Sequence, residues 1–138
     1  MLARDAKIQL LRHVPLFSGC TKTELRELAL TADEVDLSKG AILTREGRPG
    51  HEFVVIVDGT ARVTRAGRTL ADLGPGDWVG EIALLTKSVR TATVTATSPV
   101  RALVITDRAF RRVVDAMPSI AVKVLTSVAD RLAHDARS

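Results

Sequence analysis

The sequence predicts an α+β fold: a β-barrel of about eight strands set between N-terminal helices and two C-terminal ones. Three observations carry the prediction. Helical periodicity is confined to the two ends of the chain, and short apolar runs divided by turn residues fill the middle, from about Val35 to Ile105. One stretch inside that middle, Glu81–Leu85, has good helix formers and no alternation. A length of 138 residues with 46% hydrophobic content fits one domain with its own core better than two domains.

At the N-terminal end Ile8, Leu10 and Leu11 mark a short helix that stops at the Val14-Pro15 step. Thr21 followed by Glu24 is a capping box, after which Leu25, Leu28 and Ala29 share one helical face. The apolar runs of the middle are Ala41–Leu43, Phe53–Val57, Ala61–Val63 and Thr69–Leu73, with turn signals at Lys39-Gly40, Asp58-Gly59, Ala66-Gly67 and Gly74-Pro75-Gly76. Thr91–Thr97 alternates and Val100–Ile105 is strongly apolar; strands at this spacing read as a sandwich or barrel. Asp58-Gly59, between two such runs, reads as a hairpin turn. Thr106 or Asp107 can cap a helix carrying Phe110, Val113 and Val114 that ends near Met117-Pro118. Pro118 suits the first turn of a last helix, along which Ile120, Val124, Val128 and Leu132 form one stripe. The parts are a helical lead-in at 1–33, strands at 34–106 and C-terminal helices at 107–135.

Composition narrows the function classes. Cys20 is the single cysteine, so an intrachain disulfide is excluded and a reducing, cytoplasmic setting fits. There is no run of 18 apolar residues, and charges interrupt the N-terminal segment where a signal peptide would be continuous, so no membrane partner is expected. The formal charge of +4 comes from scattered basic residues, and three Phe, one Trp and no Tyr give no stacking platform. A small anionic ligand is therefore favoured over nucleic acid. His13, His51 and His134 lack metal spacing, and no nucleophile has a visible base partner, so neither a metal site nor an enzyme is expected.

The informative stretch is Gly74–Ala96. One helical turn between two strands, preceded by Gly80, would present the N–H groups of Ile82 and Ala83 as unpaired helix-start donors, a form of anion site. Arg90 follows where the chain re-enters a strand and can turn its guanidinium on the same anion. Glu81 is a poor neighbour for phosphate but a good acceptor for a sugar hydroxyl. On the residues alone, a sugar-phosphate site and a plain surface ion pair of Glu81 with Arg90 stand level.

Gly80-Glu81-Ile82-Ala83-Leu84-Leu85, followed by Arg90-Thr91-Ala92-Thr93-Val94, resembles the phosphate-binding cassette of cyclic-nucleotide-binding domains. This family includes the regulatory domains of cyclic-nucleotide-dependent kinases and gated channels, and catabolite-activator-type proteins. Leu11–Ser18, Glu46–Gly50, Val55–Gly59 and Gly74–Asp77 are similar in kind and order, so the resemblance covers about residues 8–135. It implies an eight-stranded antiparallel barrel of jelly-roll type, with the cassette at 78–94 and its short helix binding phosphate.

It also implies roles. Glu81 takes the ribose 2′-hydroxyl and Arg90 the cyclic phosphate, while the backbone at Gly80, Ile82 and Ala83 donates to phosphate or ribose. Thr91 bonds the phosphate and, with a syn base, the guanine amino group; Ala92 lines the site through its backbone. Val63, Ala71, Leu73 and Val79 surround base and ribose, and Arg131 and Leu132 lie where the family lays a lid over the purine. Val89 stands where many members have proline, which is expected to loosen the turn carrying Arg90. Trp78 is expected in the core.

The resulting expectation is a non-enzymatic sensor of cAMP or cGMP that needs no cofactor. The Arg-rich composition, 15 Arg against 5 Lys, resembles that of a high-GC bacterial protein and favours cAMP. A chain ending at Ser138 leaves no room for an effector, so output is expected through a partner protein, a homodimer or a missing part of a longer protein. The alternative is a protein-interaction domain that keeps the fold without the ligand.

Overall fold

The computed structural model describes residues 2–86 and 89–137, with the backbone alone at 81, 82, 131 and 134–137. Its helices are α1 (Arg4–Arg12), α2 (Lys22–Thr31), α3 (Asp107–Ala116) and α4 (Ser119–Arg137). Its strands are β1 (Asp33–Leu37), β2 (Ile42–Thr44), β3 (Glu52–Asp58), β4 (Ala61–Arg65), β5 (Arg68–Leu73), β6 (Trp78–Val79), β7 (Thr93–Ala96) and β8 (Val100–Thr106). They fall into two compact units: Ala32–Arg108, which holds the strands, and Leu2–Thr31 with the chain from Ala109 on.

The strands form two four-stranded sheets, ordered β1-β8-β3-β6 and β2-β7-β4-β5, with every neighbouring pair antiparallel. Eight antiparallel strands and four helices match the sequence reading, but the described strands make two sheets where one closed barrel is expected. Strand β6 is two residues long and gives way to a 3₁₀ turn at Glu81–Leu84, so the edge it forms is too short to pair onward. The sheets meet through side chains: Val54, Ile56, Val100 and Ala102 of one and Ala61, Val94 and Ala96 of the other form a single buried cluster. Alternate residues of a strand share a face, so a half-buried strand reads as alternation. Strands β3 and β8 occupy the middle of their sheet and are buried on both faces, since Phe53, Val55, Leu103 and Ile105 are buried too. Hence their apolar runs are nearly continuous.

The turn at Asp58-Gly59 does not make the expected hairpin. It carries the chain from β3 in one sheet to β4 in the other. Gly59 adopts φ +95°, and a Cβ there would lie 2.2 Å from the Pro99 carbonyl oxygen. The next residue bonds across to the β7–β8 turn: the Thr60 amide donates to Ser98 Oγ at 2.9 Å, and the Thr97 amide to the Thr60 carbonyl at 2.9 Å. The tight hairpin is at Ala66-Gly67, where Arg65 pairs with Arg68 and both loop residues have positive φ, 50° and 78°. That is the two-residue turn whose twist suits antiparallel strands, with alanine where glycine or asparagine is preferred.

The helical unit is organised by the capping box foreseen at Thr21. The Thr21 amide donates to Glu24 Oε1 at 2.7 Å, and the Glu24 amide donates to Thr21 Oγ1 at 3.2 Å. Glu24 is also buried, and its carboxylate receives Ser119 Oγ at 2.5 Å and Lys123 Nζ from the first turns of α4. Loss of hydration pushes the Glu24 pKa up, but the hydrogen bonds from Lys123, Ser119 and Thr21 outweigh it and hold the carboxyl at about 2. Burial first, and then the charge of Glu24, push the Cys20 thiol up to about 11, so it stays protonated and unreactive near neutrality. Around this network Ile8, Leu11, Leu25, Leu28, Val113, Ile120 and Val124 are buried, and the rings of Phe17 and Phe110 lie 6.3 Å apart, tilted by 41°. The stripe expected along α4 is buried only at its start: Ile120 and Val124 are inside, whereas Leu132 is 65% exposed. Among the described residues no helix is long and apolar enough to cross a membrane.

Two outcomes follow from these features. Ala66→Gly removes a left-handed alanine that costs about 1–2 kcal/mol, less the extra chain entropy of glycine, so it should stabilise the fold by about 0.5–1 kcal/mol in urea titration. Glu24 binds its proton more weakly in the folded chain, about 2 against the ordinary 4.5, so its contribution to stability is complete above pH 4.5 and is lost as pH falls towards 2. Urea melts at stepped pH should show this slope in the native sequence and a flatter one in Glu24→Gln.

Candidate functional site

Residues 89–92, just before β7, form a strap along one wall of a cavity of about 570 Å³, within the range of small-molecule sites of roughly 300–1,000 Å³. Its central residue is Arg90. The side chain of Arg90 passes against two glycines: a Cβ on Gly50 would lie 1.9 Å from Arg90 Nε, and one on Gly80 would lie 2.2 Å from Nη1. Gly80 also has φ +84°, a conformation that other residues rarely adopt, and any Cβ there would meet the Glu52 carbonyl oxygen at 2.6 Å. Arg90 Nη2 donates to that same carbonyl at 2.5 Å. Two glycines from separate segments thus give passage to one guanidinium, and a backbone oxygen fixes its angle.

The strap's backbone is fastened on both sides. The Arg90 amide donates to the Arg48 carbonyl at 2.8 Å, and the Gly47 amide to the Arg90 carbonyl at 2.9 Å; Pro49 and Val89 form an antiparallel bridge beside them. Val89, in the place of proline, thus stands in a bridged segment of backbone. Further along, Thr44 Oγ1 donates to the Ala92 carbonyl at 3.1 Å and Arg65 Nε to the Thr91 carbonyl at 2.9 Å. Glu46 links the flanks: its amide donates to Thr93 Oγ1 and its Oε1 accepts from the Ala66 amide, each at 3.0 Å.

Of the residues named from sequence, Val63, Val79, Gly80, Ala83, Arg90, Thr91 and Ala92 line the cavity together. Ala71 and Leu73 do not. Leu73 packs on the core cluster between the sheets, and Ala71 is exposed on β5 opposite Val63. A bulge explains the exchange: Val63 pairs with Ala71 but Thr64 with Thr69, so Leu70 is the extra residue and lines the cavity instead. The Ala83 amide, expected as a free donor, bonds the Gly80 carbonyl at 3.0 Å inside the 3₁₀ turn. Trp78, expected in the core, is half-buried and lines the cavity. The side chains of Glu81, Ile82, Arg131 and His134 lie outside the described residues.

Sequence reasoning also missed Thr44, Arg65, Val89 and Val94 as lining residues. Arg65 had a readable signal, since it stands two positions after Val63 and a strand repeats its face every two residues. Thr44 had none, because it arrives through pairing with Val94 fifty positions away in the chain. His51, exposed, has its Nδ1 3.5 Å from Asp107 Oδ2, and among the described residues no three metal-ligating side chains come together.

The cyclic nucleotide-binding domain model matches residues 34–117, well over half the chain. The chain belongs to that family. A cAMP-dependent protein kinase regulatory subunit of Schizosaccharomyces pombe is 38% identical over 88 residues, covering 63% of this chain and 21% of the relative. The acetyltransferase Pat of Mycolicibacterium smegmatis is 36% identical over 94 residues, covering 65% of this chain and 28% of the relative. The chain therefore spans about a fifth to somewhat over a quarter of these curated relatives. Among solved structures, the N-terminal domain of a transcriptional regulator from Streptomyces coelicolor is similar at a TM-score of 0.85 and 33% identity, covering 91% of this chain and 94% of that one.

The two glycines give separable tests. In Gly50→Ala the new methyl meets the flexible end of Arg90, so cyclic-nucleotide affinity should fall about as far as in Arg90→Ala while the melting temperature changes little. In Gly80→Ala it meets backbone at a left-handed residue, so stability should also drop, by about 1–2 kcal/mol. Calorimetric titration beside thermal melts of each variant distinguishes the two.

Proposed function

We propose that this chain is a cyclic-nucleotide sensor that binds cAMP in preference to cGMP. The observation that carries the reading is the guanidinium of Arg90, seated between Gly50 and Gly80 and held at the wall of a ligand-sized cavity. Arg90 binds the cyclic phosphate, where two charge-assisted hydrogen bonds match guanidinium geometry. Glu81 accepts from the ribose 2′-hydroxyl, and the backbone of Gly80, Ile82 and Ala83 lies along the sugar phosphate. Thr91 bonds the phosphate, Ala92 lines the site through its backbone, and Val63 and Val79 pack on base and ribose. The kinase regulatory subunits among the relatives support the choice of cAMP, and the Arg-rich composition agrees with it.

Residues 1–138 act as one sensing domain in the cytoplasm, binding the nucleotide without turning it over. Ligand closes the C-terminal helix over the purine, with Arg131 and Leu132 as the lid. Leu132 is 65% exposed, so covering a base would remove apolar surface from water. Such closure is a population shift and requires tighter binding to the closed form. The signal then passes to a partner protein or to a second copy of the chain.

Calorimetric titration with cAMP and cGMP tests the reading. Both should give heat, with the smaller Kd for cAMP, and Arg90→Ala should weaken binding by roughly ten- to a hundredfold, the equivalent of losing hydrogen bonds to a charged group. Absence of heat from either nucleotide at concentrations well above micromolar would leave the fold as a protein-interaction domain and end the sensor reading.

A further inference from the structure

We propose that Arg65 is a second ligand-binding arginine of this cavity, placed to contact the anionic phosphate of the bound nucleotide. The inference rests on the cyclic-nucleotide reading above and assigns a residue outside the cassette. Three observations lead to it. Arg65 lines the cavity, on the same face of β4 as Val63, whereas Arg62 lies on the opposite face and pairs with Asp72 at 2.9 Å. Its side chain is already oriented: Nε donates to the Thr91 carbonyl at 2.9 Å, which anchors the guanidinium to the strap one residue beyond Arg90. Among the described residues that is its one hydrogen bond, and no carboxylate lies within ion-pair distance of it. Arg62 and Arg101, by contrast, each hold an aspartate.

A guanidinium has five N–H groups in a fixed fork. With Nε–H on Thr91, the four N–H groups of the two Nη atoms form the far edge, at the cavity side of the β4–β5 hairpin. An oriented cation loses little rotamer freedom when a ligand arrives. Its charge adds to that of Arg90: Arg65 reaches the strap from the β4–β5 hairpin of one sheet, and Arg90, within the strap, bonds to β3 of the other. A second cation next to Thr91 suits the charged end of the ligand. A base-edge contact would instead discriminate between purines, because a guanidinium pairs in bidentate fashion with the O6 and N7 acceptors of guanine and cannot do so with adenine.

The side-chain lengths supply the decisive variant. Gln carries its amide nitrogen at the chain position of Arg Nε, so Arg65→Gln keeps a donor for the Thr91 carbonyl and removes the Nη groups and the charge. Calorimetry with cAMP, cGMP and the uncharged nucleoside adenosine is then compared for the native chain, Arg65→Gln and Arg65→Ala, each checked for a native melt by circular dichroism. The expected result is that both variants lose affinity for both cyclic nucleotides by the same factor, roughly tenfold or more, while adenosine binding is unchanged. If Arg65→Gln binds like the native chain, Arg65 only fastens the strap and the proposal is overturned. If cGMP loses far more than cAMP, the contact is with the base, and the phosphate assignment is overturned. A native chain that binds both nucleotides while the Arg65 variants do the same refutes this inference alone. A native chain that binds neither refutes the sensor reading beneath it. Should Arg65→Ala fail to fold, Arg65→Gln carries the comparison by itself.

Discussion

The passage of the Arg90 side chain between Gly50 and Gly80 is the constraint on which the site depends. A guanidinium at the wall of a cavity is useful only at a fixed angle, and fixing it takes close packing on both flanks. Side-chain carbon on either flank would occupy the space of the guanidinium itself, at 1.9 Å or 2.2 Å from its nitrogens. The terminal contact is a backbone carbonyl, Glu52, which belongs to an inner strand buried on both faces. The orientation of one charge is thereby referred to an inner strand of the β unit.

The two sheets divide the work around that charge. The sheet containing β3 and β6 supplies the Glu52 carbonyl, Trp78 and Val79; the other supplies Thr44, Val63, Arg65, Leu70 and Val94. The strap is tied to one sheet by its bonds with Thr44 and Arg65 and to the other by the bond from Arg90 to the Glu52 carbonyl. On this side of the cavity the strap is the wall, and Arg90 stands in it.

Much of this was legible in the sequence because it is written in local chemistry. The capping box at Thr21, the helix start beside Pro118 and the apolar runs of β3 and β8 each depend on residues a few positions apart. The strap was legible for the same reason: Gly80, the 3₁₀ segment and Arg90 are near neighbours in the chain. What could not be read depends on which strands meet. Asp58-Gly59 has the composition of a hairpin turn, yet contact with Pro99 sends the chain to the other sheet. The bulge that trades Ala71 for Leu70 is set by the register of β4 against β5, and the reason for Gly50 is visible only once Arg90 lies against it. Glu24 looked complete as a capping residue, and nothing within ninety positions announces Ser119 and Lys123 as its further partners.

Those partners have a mechanical consequence for α4. Ser119 and Lys123 pin the base of the helix to α2, while Val122, Leu125 and Leu132 along its length are exposed. A change of direction at the base of a helix grows with distance along it. From Ser119 to Leu132 α4 extends about 20 Å at 1.5 Å per residue, so a tilt of about 10° at the base carries Leu132 through about 3 Å. The carboxylate of Glu24 thus helps set the direction in which α4 leaves α2, and the geometry of the helix would enlarge any change of that direction towards Leu132.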